Sequence, residues 1–187
     1  LIEANLFTIE LDNNRVWFRY HHLFQRILLN QLKLRATADE IKTLHLRASV
    51  WFESQGMVEE SLRHAMAADD VERAACLLEQ FREEALKTDR WYVVLKWVTL
   101  LPEDILLQHP GLLLVRAWMF VHQFQYPVVI QVLDQVEALL SGSDKLQHLL
   151  GEIAGLRGMA LHRLGDSRRG LECLKSALSL IPESSTE

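Results

Sequence analysis

Only two cysteines occur in the 187 residues, Cys76 and Cys173, far apart and each inside a helical pattern. A disulfide framework is not indicated and no metal-type cysteine spacing exists, so both thiols are expected to be small core hydrophobes in a reducing compartment. Proline (4) and glycine (8) are also scarce, which excludes collagen-like and linker-like chains and lets each of these residues mark a particular break. Long apolar runs are missing. The longest, Leu112 to Val121, is interrupted by Arg116 and falls well short of the ~20 residues that a membrane span requires. Positive charge is not in excess either: the formal net charge is −5, so the basic face needed for sequence-independent binding to phosphates is absent and this segment is expected to bind no DNA.

Catalytic and nucleotide signatures are missing too. The chain has neither G-x-x-x-x-G-K-[ST] nor G-x-G-x-x-G, no His-Glu-x-x-His and no Gly-x-Ser-x-Gly, leaving no loop to cradle a triphosphate and no visible base–nucleophile pair. These absences predict a chain that is not an enzyme and holds no cofactor or metal of its own. It opens on Leu1-Ile-Glu-Ala-Asn5 and closes on Pro182-Glu-Ser-Ser-Thr-Glu187. The first reads as the interior of a longer protein without a signal peptide, the second as a turn between repeats.

What is present is ordinary globular composition, 49% hydrophobic and 24% charged, with a readable period. Phe7 to Tyr20 alternates around Asp12-Asn13-Asn14, which predicts a β-hairpin. Leu23, Phe24, Ile27, Leu28 and Leu32 then recur at helical spacing and predict an amphipathic helix. From Thr37 to Ile181 the pattern is all helical, in pieces of roughly 12 to 20 residues. Breaks are expected at Gln55-Gly56, Asp69-Asp70, Asp89, Pro102, Pro110, Ser141-Gly142 and Gly165-Asp166. The fold class is mainly α: a short N-terminal β-hairpin plus helix, then antiparallel helix pairs.

Within that region Gly158, Gly165-Asp166, Gly170, Ala177 and Pro182 fall at the small, turn and terminating positions of a tetratricopeptide repeat of ~34 residues. Gly158 and Ala177 are expected to let the two helices approach, Gly165 to end the first, and Pro182 to stop the second. Aligning Gly56 with Gly165 puts Ser49 and Ala68 at small positions and Phe52 at an aromatic one. Phe124 aligns with the same turn in a third, degenerate copy, with Ala117 and Phe120 at the small and aromatic slots and no turn glycine.

Glu3-Ala-Asn-Leu-Phe-Thr8, Trp17-Phe-Arg-Tyr-His-His-Leu-Phe24, Leu44-His-Leu-Arg-Ala48, Trp51-Phe52 and Gly56-Met-Val-Glu-Glu-Ser-Leu-Arg-His-Ala65 resemble the MalT-type, ATP-dependent LuxR-family transcriptional activators over essentially the whole chain. In that family an ATPase module precedes a winged helix, a tetratricopeptide-like sensor follows, and a helix-turn-helix DNA reader closes the protein. The resemblance implies that residues 1–35 are the C-terminal part of the winged-helix domain and 36–187 the first part of the sensor. It further implies ATP or ADP in the parent protein only, and a small-molecule inducer or regulatory protein on the helical solenoid. DNA would be bound through a C-terminal helix-turn-helix alone, with no membrane partner and a cytoplasmic location. The alternative is a stand-alone tetratricopeptide adaptor that binds a peptide; an α-helical enzyme using a histidine is a remote third reading.

Two sets of candidate site residues follow. Tyr20-His21-His22-Leu23 resembles the Met-His-Asp motif of related signal-transduction ATPases, which implies that His21 contacts the β-phosphate of ADP in the parent, with His22 standing where the motif has Asp. The residue chemistry alone favours a ring that merely caps or packs. In the tetratricopeptide register Trp118, His122, Met159, His162 and Arg163 project toward the concave groove, a set suited to a sugar, small metabolite or peptide. The alternative, which the residue types favour, is that Trp118 and Met159 fill the core between repeats. Trp17, Trp51, Trp91 and Trp97 are expected in the core, and Glu59-Glu60, Arg82-Glu83-Glu84 and Arg168-Arg169 on solvated helix faces.

Overall fold

The computed structural model describes residues 7–10, 18–88, 90–140 and 149–180. The expected turn at Asp12–Asn14, Trp17, the breaks at Asp89 and Ser141-Gly142, His148 and the Pro182 stop lie outside them. The hairpin is present: β1 (Thr8–Glu10) pairs antiparallel with β2 (Phe18–Tyr20), Thr8 opposite Tyr20 and Glu10 opposite Phe18. It leads into α1 (His22–Arg35), whose Phe24 stacks on Phe7 at 4.7 Å and meets Tyr20 edge-on at 5.4 Å. The predicted amphipathic stripe forms, yet α1 has no buried residue, and Leu23 and Ile27 are each 57% exposed.

Nine further helices follow among the described residues: α2 (Ala38–Ser54), α3 (Val58–Ala67), α4 (Val71–Lys87), α5 (Trp91–Val98), α6 (Glu103–Leu106), α7 (Pro110–His122), α8 (Tyr126–Leu140), α9 (Leu150–Arg163) and α10 (Ser167–Leu180). Their ends have local causes. Thr37 and Glu40 close a reciprocal capping box at the start of α2, Asp70 accepts from the Arg73 N–H at α4, and Pro110 opens α7, where its missing N–H costs no hydrogen bond. Three helices are shorter than the sequence period suggests. α3, α5 and α6 have 10, 8 and 4 residues; the left-handed turns at Gly56 and Asp69 bound α3, and Pro102 and Pro110 divide the segment after α5. No helix among the described residues is long and apolar enough to cross a membrane.

Four helix-to-helix turns share one geometry. Gly56, Asp69, Phe124 and Gly165 have φ of 69°, 63°, 59° and 94°. At each, two backbone bonds close the preceding helix, as in Gly56 N–H to Glu53 O at 2.9 Å and Met57 N–H to Phe52 O at 2.9 Å, or Phe124 N–H to Val121 O at 3.0 Å and Gln125 N–H to Phe120 O at 2.9 Å. This is the Schellman arrangement, which needs a left-handed residue just past the helix end. Phe124, aligned with the turn glycines, does adopt the glycine conformation.

The turns fold each pair antiparallel. Gly151 approaches Leu180, Gly155 Ala177, and Gly158 Leu174 and Gly170, so rising numbers on α9 meet falling numbers on α10. The close approach differs in one respect from the expectation. Gly158 lies against Gly170, where an added Cβ would stand 2.8 Å from a backbone carbonyl, whereas Ala177 faces Gly155 at an ordinary 4.0 Å. Tight contact sits near the turn because the short connection holds the helices closest there.

The core runs from α3 to α9, with Leu62, Leu78, Leu112, Leu113, Leu114, Leu133, Ile153 and Leu156 almost wholly buried. Several expectations are corrected. Cys76 is exposed and Cys173 half-buried, so neither thiol is a core residue. Of the described tryptophans expected inside, Trp97 is buried at 7%, but Trp51 and Trp91 are 48% and 39% exposed, since each lies at the margin of its helix's apolar stripe. Arg82, expected on a solvated face, is 5% exposed; it occupies the stripe shared by Ala75, Leu78 and Ala85.

Phe124 carries a stability prediction. A side chain in the left-handed region costs roughly 1 kcal/mol relative to glycine. The ring is 77% exposed and meets Tyr126 edge-on at 6.4 Å. Phe124→Gly should therefore stabilise the chain by about 0.5–1 kcal/mol in equilibrium urea unfolding; a loss of stability would mean that the ring's contacts outweigh the backbone strain.

Candidate functional site

Between α4, α5, α7 and α9 lies a cavity of about 240 Å³, lined by Arg82, Trp91, Val94, Leu95, Val115, Trp118, His122 and Glu152. Three rings form one wall. His122 stacks on Trp91 at 5.5 Å with planes 18° apart, and on Trp118 at 6.3 Å. One helical turn separates Trp118 from His122, so α7 presents both on one side, while Trp91 comes from the first residue of α5.

The same lining carries a polar pair beside the rings. Trp118 Nε1–H donates to Glu152 Oε1 at 3.0 Å. The other carboxylate oxygen of Glu152 pairs with Arg82 Nη2, which ties α4 to α9 across 70 residues of sequence. Arg82 Nε is buried without a hydrogen-bond partner, the kind of orphaned donor that a polar ligand or water satisfies. Stacking rings for an apolar face beside a fixed carboxylate and guanidinium can recognise a ligand with both a flat C–H surface and hydroxyls.

The five groove residues of the sequence reading separate. Trp118 and His122 meet in the cavity; Met159, His162 and Arg163 are not among its lining residues. Met159 is half-buried, His162 and Arg163 are exposed, and His162 Nδ1 lies 3.1 Å from Ser167 Oγ across the α9–α10 turn. Arg82, Trp91 and Glu152 were not anticipated. Arg82 had a usable signal, a charge placed within an apolar stripe; Glu152 had none, since its role depends on where α9 lies relative to α4.

His21 stands at the N-cap of α1, its Nδ1 accepting from the Leu23 N–H at 3.4 Å, with the His22 ring 4.3 Å away. That bond leaves Nε2 as the atom available for any other partner.

A second histidine pair links α2 to α3. His45 Nδ1 lies 2.8 Å from His64 Nδ1, and His64 stacks on Phe52 at 5.3 Å. One ring must donate and the other accept, so at least one stays neutral. Burial, first, then the charges of His45 and Arg63 hold His64 below its ordinary 6.5, opposed by Glu60. Cys76 is displaced the other way: burial and the carboxylates of Glu72, Glu79 and Asp70 push its thiol up, so it is not an activated nucleophile.

Comparison with known proteins bears on the geometry. Residues 1–41 match the MalT winged helix domain family. The HTH-type transcriptional regulator MalT of Klebsiella pneumoniae (strain 342) is 28% identical over 178 residues, 95% of this chain and 19% of that protein. MalT of Vibrio parahaemolyticus is 28% identical over 132 residues, 71% of this chain and 14% of that protein. The serine/threonine-protein kinase PknK of Mycobacterium tuberculosis is 33% identical over 113 residues, 60% of this chain and 10% of that protein. The chain thus spans between a tenth and a fifth of the length of these relatives. No solved structure matches significantly. Residues 1–41 are thus similar to a winged helix of MalT type, and the likeness to MalT proteins runs on through the stacked helices.

The His64 shift fixes the sign of a pH effect. A histidine whose folded-state pKa is depressed lets the unfolded chain bind more protons, so its contribution is complete above about 6.5 and is lost as pH falls toward the folded value. Thermal unfolding midpoints should decline between about pH 7 and 5, and His64→Gln should flatten that decline. An unchanged slope in the variant would assign the effect to other groups.

Proposed function

We propose that this chain is the sensor and coupling segment of an ATP-dependent LuxR-family transcriptional regulator of MalT type. Its helix pairs, read as a tetratricopeptide-like solenoid over residues 36–187, bind a small-molecule inducer or a regulatory protein. The winged-helix end, residues 1–35, couples that binding to the nucleotide state of an ATPase module elsewhere in the parent, and a separate helix-turn-helix contacts DNA. The chain performs no catalytic step itself. The observation that carries the reading is the cavity walled by Trp91, Trp118 and His122 and floored by Arg82 and Glu152, with the dimensions and mixed chemistry of a site for part of a sugar or similar metabolite. Similarity to transcriptional regulators over most of the chain favours this over a free-standing peptide adaptor. The exposed stripe on α1, Leu23 and Ile27 included, fits a helix that packs against the rest of a winged helix.

The cavity is tested by a thermal-shift screen of the 187-residue chain against sugars and polar metabolites. A ligand at about a hundred times its Kd adds about 2.7 kcal/mol to stability, enough to move the midpoint by several degrees. The shift should vanish in Trp118→Ala; a hit that survives this change binds elsewhere and removes the cavity from the proposal.

His21 is tested in the full-length parent. If its ring donates to the β-phosphate of ADP, His21→Ala removes a bond worth roughly 1.5–3 kcal/mol and accelerates ADP release by about tenfold or more. Equal release rates in a well-folded variant would confine His21 to capping α1.

A further inference from the structure

One helical turn before Arg82, three residues of one face of α4 meet the start of α7, where Gly111 approaches both Glu79 and Arg82. Glu72, Cys76 and Glu79 stand four and then three residues apart, one above another on α4. His109, the residue before Pro110, reaches them from α7 and is 6% exposed. Its Nδ1 is 2.6 Å from Glu79 Oε2, and the other oxygen of Glu79 accepts the Gly111 N–H at 3.0 Å. A carboxylate held by a backbone donor only accepts, so Nδ1 carries the proton and Nε2 faces outward. Nε2 lies 3.3 Å from Glu72 Oε1, and ligand atoms of His109, Glu72 and Cys76 all fall within 4.8 Å of one another.

A neutral ring in this tautomer sets the Nε2 lone pair against a carboxylate oxygen with no hydrogen between them. Something positive has to resolve the clash: a second proton on the ring, or a metal ion. An imidazolium would be served fully by the two carboxylates and would leave the thiol without a role. A borderline-soft dication uses all three atoms, since sulfur, imidazole nitrogen and one carboxylate oxygen form a zinc-type donor set, poorly suited to magnesium or calcium. The Glu79–His109 bond is the carboxylate-to-histidine contact that accompanies such ligands and orients the ring. Ideal distances of about 2.0–2.3 Å require the donors to close by roughly an ångström. Glu72 and Cys76 are exposed side chains on a helix surface and can turn inward, while buried His109 stays fixed. The nearby cation Arg73 is already engaged by Glu53 and Ser49.

We propose that Glu72, Cys76 and His109, with Glu79 as orienting partner, form a three-ligand site for zinc or a similar transition dication, the fourth position going to water. The ion clamps the start of α7 to α4, and these two helices also supply Val115, Trp118 and Arg82 to the cavity. The site does not depend on what the cavity binds.

The 187-residue chain, stripped with a chelator, is titrated with Zn²⁺ and with Co²⁺. One equivalent of each should bind, Zn²⁺ should raise the unfolding midpoint, and Co²⁺ should give the intense near-ultraviolet band of a cobalt–thiolate bond. Cys76→Ser should abolish that band and weaken Zn²⁺ at least about tenfold, Glu72→Gln should weaken Zn²⁺ similarly, and Cys173→Ser should change neither. Because Cys76 and Glu72 are exposed, the metal-free variants should unfold like the unmodified chain, which separates lost ligation from lost folding. Absence of the cobalt–thiolate band in the unmodified chain, a band that survives Cys76→Ser, or binding of neither metal overturns the proposal.

Discussion

Everything else in the molecule depends on the left-handed residue just past each helix end. It closes the two backbone bonds that stop one helix and turns the next back along it, so that residues seven before and five after the turn are pressed together. At Gly56 these are Ser49 and Ser61, at Asp69 Leu62 and Ala74, at Phe124 Ala117 and Val129, at Gly165 Gly158 and Gly170, and all eight are buried. The pairing of small with larger side chains sets how closely each pair of helices packs. Where both are glycine the backbones touch. Where both are serine the hydroxyls bond to each other at 3.1 Å and Arg73 Nε donates to Ser49 Oγ at 2.9 Å, satisfying groups that would otherwise be costly to bury.

A turn of this kind fixes nearest neighbours only, and each pair still has an apolar face that it cannot cover alone. Stacking covers it, producing the continuous core from α3 to α9. Stacking also brings together groups remote in sequence: Arg82 with Glu152, and His109 with the outward face of α4. A buried ion pair contributes little net stability, because desolvation offsets most of the attraction, but a mismatched arrangement would strand a charge. The Arg82–Glu152 pair therefore restricts how α9 can sit against α4, and the Trp118 bond to the same carboxylate fixes the orientation of the indole in the cavity.

The N-terminal unit obeys a different economy. Its hairpin and α1 meet through Phe7, Tyr20 and Phe24, while Leu23, Ile27, Leu28, Leu29 and Leu34 of α1 are exposed. An exposed apolar stripe on a helix suits a covering partner, and this one lies within the residues that match a winged-helix family.

Local signals were legible in the sequence. Alternation marked the strands, helical spacing the helices, and Gly56, Asp70, Pro110 and Gly165 their ends, because capping and turn conformation are decided within a few residues. The turn register also found Phe124 without a glycine to announce it. Tertiary packing decided what local rules cannot reach. Whether Trp51, Trp91, Cys76 or Arg82 was inside depended on which face a later helix would cover, and sequence period reports only that a face exists. The cavity needed α4, α5, α7 and α9 to converge, so from the sequence Trp118 and His122 could be grouped by their spacing on one helix, but Glu152, with no local signal, could not be added to them, nor His109 to Glu72 and Cys76. Short-range backbone chemistry wrote the elements and their reversals; the meeting of side chains tens of residues apart was settled only when the stacked pairs shared one core.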